Sequence, residues 1–103
     1  MAKYDLGKVK AAAQNLNIEY RGRKVSRDIA NLGYELNDVA SCLCQLSSSE
    51  FRKTHTYSDA PPDDEYICFF KKEPDGEQID HLYVKFCLID ECLILDLASF
   101  HLS

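Results

Sequence analysis

Arg52, Lys53, His55 and Tyr57 fall within one polar stretch at the midpoint of this 103-residue chain, between Ser47 and Asp59. Two cations, an imidazole, a phenol and several hydroxyls in one run are the groups needed to hold a phosphate and move a proton near it. Imidazole suits proton transfer because its unperturbed pKa is about 6.5. Lysine or arginine suits stabilisation of a developing negative charge, and a tyrosine can stack on a base. Plainer roles exist for each: Lys53 can complement a helix dipole, and His55 can sit idle in a polar loop.

The elements around that stretch follow from periodicity. Leu6, Val9, Ala13 and Leu16 recur at helical spacing, so residues 5–16 are expected to form an amphipathic helix capped by Asp5. Residues 18–20 alternate like a short strand, and Arg21-Gly22-Arg23-Lys24 forms a basic turn, either solvated or in contact with a phosphate backbone. Ser26 is expected to cap a second helix through Ile29, Ala30 and Leu32, with Gly33 as its left-handed stop. Asn37 would cap a third, lined by Leu36, Val39, Ala40 and Leu43. Ser47 and Glu50 have capping-box spacing, which predicts one more helical turn over residues 50–53, carrying Lys53 to the edge of a sheet.

Beyond Tyr57 the pattern changes to strands. Paired prolines make residues 60–64 irregular, and Asp63, Asp64 and Glu65 look like a solvated acidic loop. Three adjacent carboxylates could bind a divalent cation weakly, but nothing fixes their geometry, so no metal site is expected. Residues 65–72 form a strand and Pro74-Asp75-Gly76-Glu77 a turn. In the strand over residues 81–89, Leu82, Val84, Phe86 and Leu88 face one way and Tyr83, Lys85 and Cys87 the other. A two-residue turn at Asp90-Glu91 leads into a final strand over residues 92–100, in a register that sets Lys85 opposite Asp96. The prediction is a single α+β domain over residues 1–103, with N-terminal helices packed on one face of a C-terminal antiparallel sheet.

Composition narrows the classes. At 46% hydrophobic and 28% charged the chain is an ordinary globular domain, and no apolar run reaches the roughly 20 residues of a membrane span. With no secretory apolar core at the start, a cytoplasmic protein without a membrane partner is expected. Five cysteines without CxxC spacing argue against both a disulfide framework and a closed zinc site. Net charge is −5, split as +3 over residues 1–53 and −8 over residues 54–103. Only the first half could supply a nucleic-acid footprint, and no DNA binding by the chain alone is expected.

The run Leu32-Gly33-Tyr34-Glu35-Leu36-Asn37-Asp38-Val39, then Leu46-Ser47, Phe51-Arg52-Lys53 and Thr56-Tyr57-Ser58-Asp59, resembles the MqsR family of toxins. The ending, with Leu82-Tyr83-Val84-Lys85 and Ser99-Phe100-His101, is similar too, so the likeness runs from about Leu6 to the C-terminus. It implies a RelE-like fold, ribosome-independent and metal-independent mRNA cleavage through the 2′-hydroxyl, no cofactor, and neutralisation by a cognate antitoxin protein. By the same resemblance Lys53 and Tyr83 take catalytic positions. Asp63 stands where the family has a glutamine and His101 where it has a lysine. The implied site is therefore Lys53, His55, Tyr83 and His101 for catalysis, with Arg52, Tyr57 and Asp63 at the substrate. His101 reaches Tyr83 only if a bulge or break near Ala98-Ser99 shifts the closing hairpin. The two altered positions motivate an alternative, a catalytically impaired member acting as a protein-binding module.

Overall fold

The computed structural model describes every residue from Met1 to Ser103. The N-terminal half carries three helices, α1 (Leu6–Gln14), α2 (Arg23–Leu32) and α3 (Leu36–Cys44), with a short strand between the first two. Five strands follow the sheet order β1-β5-β4-β3-β2, namely β1 (Ile18–Tyr20), β2 (Phe51–His55), β3 (Asp63–Phe70), β4 (Asp80–Ile89) and β5 (Ile94–Leu102). The expected α+β architecture holds, with one addition: β1 joins the far edge of the sheet parallel to β5. All other pairings are antiparallel.

Helix boundaries follow capping chemistry. Asp5 caps α1, its carboxylate accepting the Lys8 amide at 3.1 Å. α2 starts at Arg23 rather than after Ser26, because Gly22 at φ 88° makes the turn that only glycine takes without strain. The basic turn is thereby absorbed into a helix start, and Lys24 pairs with Asp28 one turn on at 2.7 Å. Gly33 closes α2 in the left-handed region at φ 77°, as its position suggests. α3 is capped at Glu35, whose amide donates to Asp38, and not at Asn37. Glu50 accepts the Ser47 amide at 2.9 Å, but the turn it stabilises is a short 3₁₀ segment, Ser48–Glu50. Phe51 to His55 is already strand, so Lys53 lies on β2 and not at a helix end.

The helices cover one face of the sheet. Tyr66, Cys68 and Phe70 of β3 and Leu82, Val84 and Phe86 of β4 are buried against Val9, Val25, Ile29, Val39 and Leu43. Burying one such side chain is worth about 1.5–3 kcal/mol, so a one-residue slip of β3 or β4 is strongly opposed. Alternation then sends Glu65, Ile67, Phe69, His81, Tyr83 and Lys85 to the face that no helix covers.

Residues 63 and 64 are not a solvated loop. They open β3, and both aspartates are fully buried. Asp64, on the helix side, accepts the amides of Lys3 and Tyr4 at 3.0 and 2.9 Å and the Thr54 hydroxyl at 2.6 Å. It clips the N-terminal residues over the β2–β3 hairpin.

Candidate functional site on the open sheet face

Each strand contributes to the uncovered face. On β2, Lys53 stands beside Glu65 and His55 beside Asp63. On β4, Lys85 is opposite Glu65 and Tyr83 opposite Ile67. His101 of β5 is directly opposite Tyr83. The hairpin reaches that register in two ways. Its turn runs through Asp90, Glu91 and Cys92, all with positive φ, rather than through two residues. The pairing then shifts between Lys85 and Phe86, leaving Ala98 as the extra residue of a bulge. The bulge near Ala98 that the sequence calls for is present. Lys85 lies opposite Ser99 and not Asp96, which is opposite Cys87.

Glu65 is the hub. One of its oxygens accepts from His55 Nε2 at 2.7 Å and from the Tyr83 hydroxyl at 2.8 Å. Partial burial works against its ionisation, but the bonds from His55 and Tyr83 outweigh it and hold the carboxyl below the ordinary glutamate range. Burial, then the bond to Glu65, pushes Tyr83 up to about 12, so it remains a neutral phenol at physiological pH. The His101 ring stacks on Tyr83 with centroids 5.1 Å apart and planes 10° from parallel. Its Nδ1 lies 2.9 Å from the Leu102 carbonyl oxygen, which leaves Nε2 turned elsewhere. Neither Lys53 nor Lys85 forms an ion pair.

A second knot lies beside the first. Arg21, just after β1, donates from both terminal nitrogens to Asp63 at 2.9 Å and from Nε to Asp96 at 2.9 Å. A third contact reaches the Cys87 sulfur at 3.2 Å. The Tyr57 hydroxyl donates to Asp63 at 2.9 Å. Burial opposes the Asp63 charge, but Arg21 and then Tyr57 hold its carboxyl below the usual range. Asp63 is thus enclosed with both oxygens engaged, and Arg21 is spent on aspartates rather than free for a phosphate.

The structure brings Lys53, His55, Tyr83 and His101 onto one face, and ties Tyr57 and Asp63 into the adjoining knot. Arg52 is the irregular residue where the β2–β3 pairing shifts, exposed and without an ion pair. Glu65 and Lys85 are the members that sequence reasoning missed. Extending the alternation of Tyr66, Cys68 and Phe70 back by one residue would have put Glu65 on the Tyr83 face. No cleft is lined by Lys53, His55, Glu65 or Tyr83; only a shallow one touches the array, at His101 beside Asp28 and Asn31. The site is an open surface, which suits a polymer better than an enclosed small molecule.

Fold and site together define an α+β domain that buries one sheet face under helices and displays an ionisable array on the other. Residues 1–101 match the family described as "Motility quorum-sensing regulator, toxin of MqsA". The chain belongs to that MqsR toxin family, which makes it the toxin of a toxin–antitoxin pair whose counterpart is an antitoxin protein. No curated protein matches the chain. No helix is long and apolar enough to cross a membrane.

Proposed function

We propose that the chain is a ribosome-independent endoribonuclease that cleaves mRNA without a metal, by attack of a 2′-hydroxyl on the adjacent phosphate. The observation that carries the reading is the double use of one Glu65 oxygen by His55 and Tyr83, between two lysines without ion pairs. An acceptor at Nε2 assigns the imidazole proton to that nitrogen and leaves Nδ1 of His55 as a base. It takes the 2′-hydroxyl proton as the new P–O2′ bond forms. His101, whose Nδ1–H donates to the Leu102 carbonyl, acts as the imidazolium and gives its Nε2 proton to the 5′-oxygen as the P–O5′ bond breaks, ending as the neutral ring. Lys53 and Lys85 offset the charge that builds on the phosphorane. Tyr83 fixes the Glu65 carboxylate and supplies the surface on which His101 lies, and exposed Tyr57 and Arg52 flank the RNA path.

Purified protein free of antitoxin, incubated with total RNA in a chelator, should yield discrete cuts ending in a 2′,3′-cyclic phosphate and a 5′-hydroxyl. A 2′-deoxy substitution at the cut site should abolish cleavage. Folded protein that leaves every RNA intact would reject the nuclease reading. That outcome would favour the alternative, an impaired member that acts as a protein-binding module. One observation favours the alternative: the enclosed Asp63 cannot offer a substrate the contact that a glutamine there would.

A further inference from the structure

Phe69 lies on the open face two residues beyond Ile67 along β3, and it is 61% exposed. An aromatic ring on a sheet face normally finds cover, and the neighbouring strands give this one little. Its cross-strand partner is His81, whose ring centroid lies 4.4 Å away with planes 48° apart. His81 is itself exposed, so the two rings brace each other and leave a π-face to solvent. Along the same face the next row is Ile67, Tyr83 and His101, followed by Lys53, Glu65 and Lys85. Same-face residues two apart on a strand are separated by about 6.8 Å. The aromatic pair thus sits one row beyond the Tyr83–His101 stack and two rows beyond the lysines.

We infer that the Phe69–His81 pair is a nucleobase-stacking subsite, which takes an unpaired base of single-stranded RNA next to the nucleotide at the Glu65 centre. The inference rests on the ribonuclease reading and names how the substrate is held there. Two features favour RNA over a protein partner. The lysines without ion pairs lie on the same face and match a phosphate backbone. The rows follow one another along the strands as successive nucleotides would. Base stacking is tolerant of sequence, so the subsite sets affinity and register more than base identity.

The test is fluorescence anisotropy with a labelled eight-nucleotide RNA carrying 2′-O-methyl groups throughout, which the enzyme cannot cut. Phe69→Ala should weaken binding by about 5- to 150-fold, the range for removing one stacking ring. Phe69→Leu should weaken it nearly as much, and Phe69→Trp should restore it, because the ring and not its bulk is what acts. Cleavage of unmodified RNA by Phe69→Ala should lose in KM while kcat changes little. Because Phe69 is exposed, these variants should keep the wild-type melting temperature. Equal affinity of wild type and Phe69→Ala, with cleavage intact, would overturn the subsite and leave the nuclease reading standing. It would point instead to a protein partner as the cover for this ring. Failure of the wild type both to bind the probe and to cut RNA would overturn both.

Discussion

A carboxylate oxygen that accepts hydrogen bonds from both His55 and Tyr83 fixes two side chains from different strands at once. Glu65→Gln would offer a weaker, uncharged acceptor and let the imidazole tautomer reverse. Its kcat for RNA cleavage should fall at least about 10²-fold, the scale of losing a positioned base. Lys53→Ala should cost about 10²–10³-fold with little change in stability, since the side chain is exposed. The carboxylates also set a pH dependence of stability. Asp63 and Glu65 have folded pKa values below their ordinary 3.8 and 4.5. Protons therefore bind the unfolded chain more readily, so this stability is present above those ordinary values and is lost as pH falls through the folded ones. Arg21→Gln should reverse the Asp63 contribution by leaving a buried carboxylate without its cation, at a cost of about 1–3 kcal/mol near neutrality, because the Arg21 side chain is 41% exposed and solvent screens part of the pair. Urea midpoints taken from pH 7 down to 2.5 should show the gap narrowing from above the ordinary 3.8, where the variant's buried carboxyl takes up its proton, to below it, where the wild-type carboxyl does. A gap that stays constant would mean Asp63 does not depend on Arg21.

At the scale of elements, the site depends on how β5 takes up one extra residue. The bulge at Ala98 lets Phe100 stay buried while His101 turns outward beside Tyr83. Deleting Ala98 joins Leu97 to Ser99 in plain alternation, with Phe100 still inward and His101 still beside Tyr83, so activity and thermal stability should both be largely kept. His101→Ala should lose activity alone. A clearly lower melting temperature or lost activity for the deletion would mean that the bulge itself, and not only the facing it sets, is required. The need for this bulge was legible before the structure, because Tyr83 and His101 could not meet without it. The turn ahead of it was not: Asp90, Glu91 and Cys92 all adopt left-handed φ, and none is the glycine or asparagine that advertises such a turn. The same limit hid the start of β3. Asp63 and Asp64 are poor strand formers beside two prolines. They are held in the sheet by partners distant in sequence, Arg21 for one and the amides of Lys3 and Tyr4 for the other. Helix starts were misplaced where a glycine and a glutamate do the capping that serine and asparagine usually do. Alternation along β4 was legible in full, since Leu82, Val84, Phe86 and Leu88 need no partner chemistry beyond burial.

On the scale of the whole molecule, the ribonuclease we propose has a net charge of −5 and must meet a polyanion. Beyond a Debye length, about 10 Å at 0.1 M salt, that repulsion is screened, and binding depends on the cations that touch phosphate. Arg21 is committed to Asp63 and Asp96, which leaves Lys53, Lys85 and Arg52 as the cations for this face. Three phosphate contacts on a single strand give a log–log salt slope of roughly −2. The protein should therefore bind RNA weakly for a nuclease, with an affinity that salt changes only modestly. Lys53→Ala should make the slope shallower by about 0.7, while Phe69→Ala should leave it unchanged because stacking releases no counterions. Anisotropy titrations between 50 and about 300 mM salt would measure all three slopes. A wild-type slope near −4 or steeper would require a larger basic footprint. Exposed cations of the helices, Lys8, Arg23 and Arg27 among them, would then form the RNA-binding face, and the open sheet would serve the antitoxin.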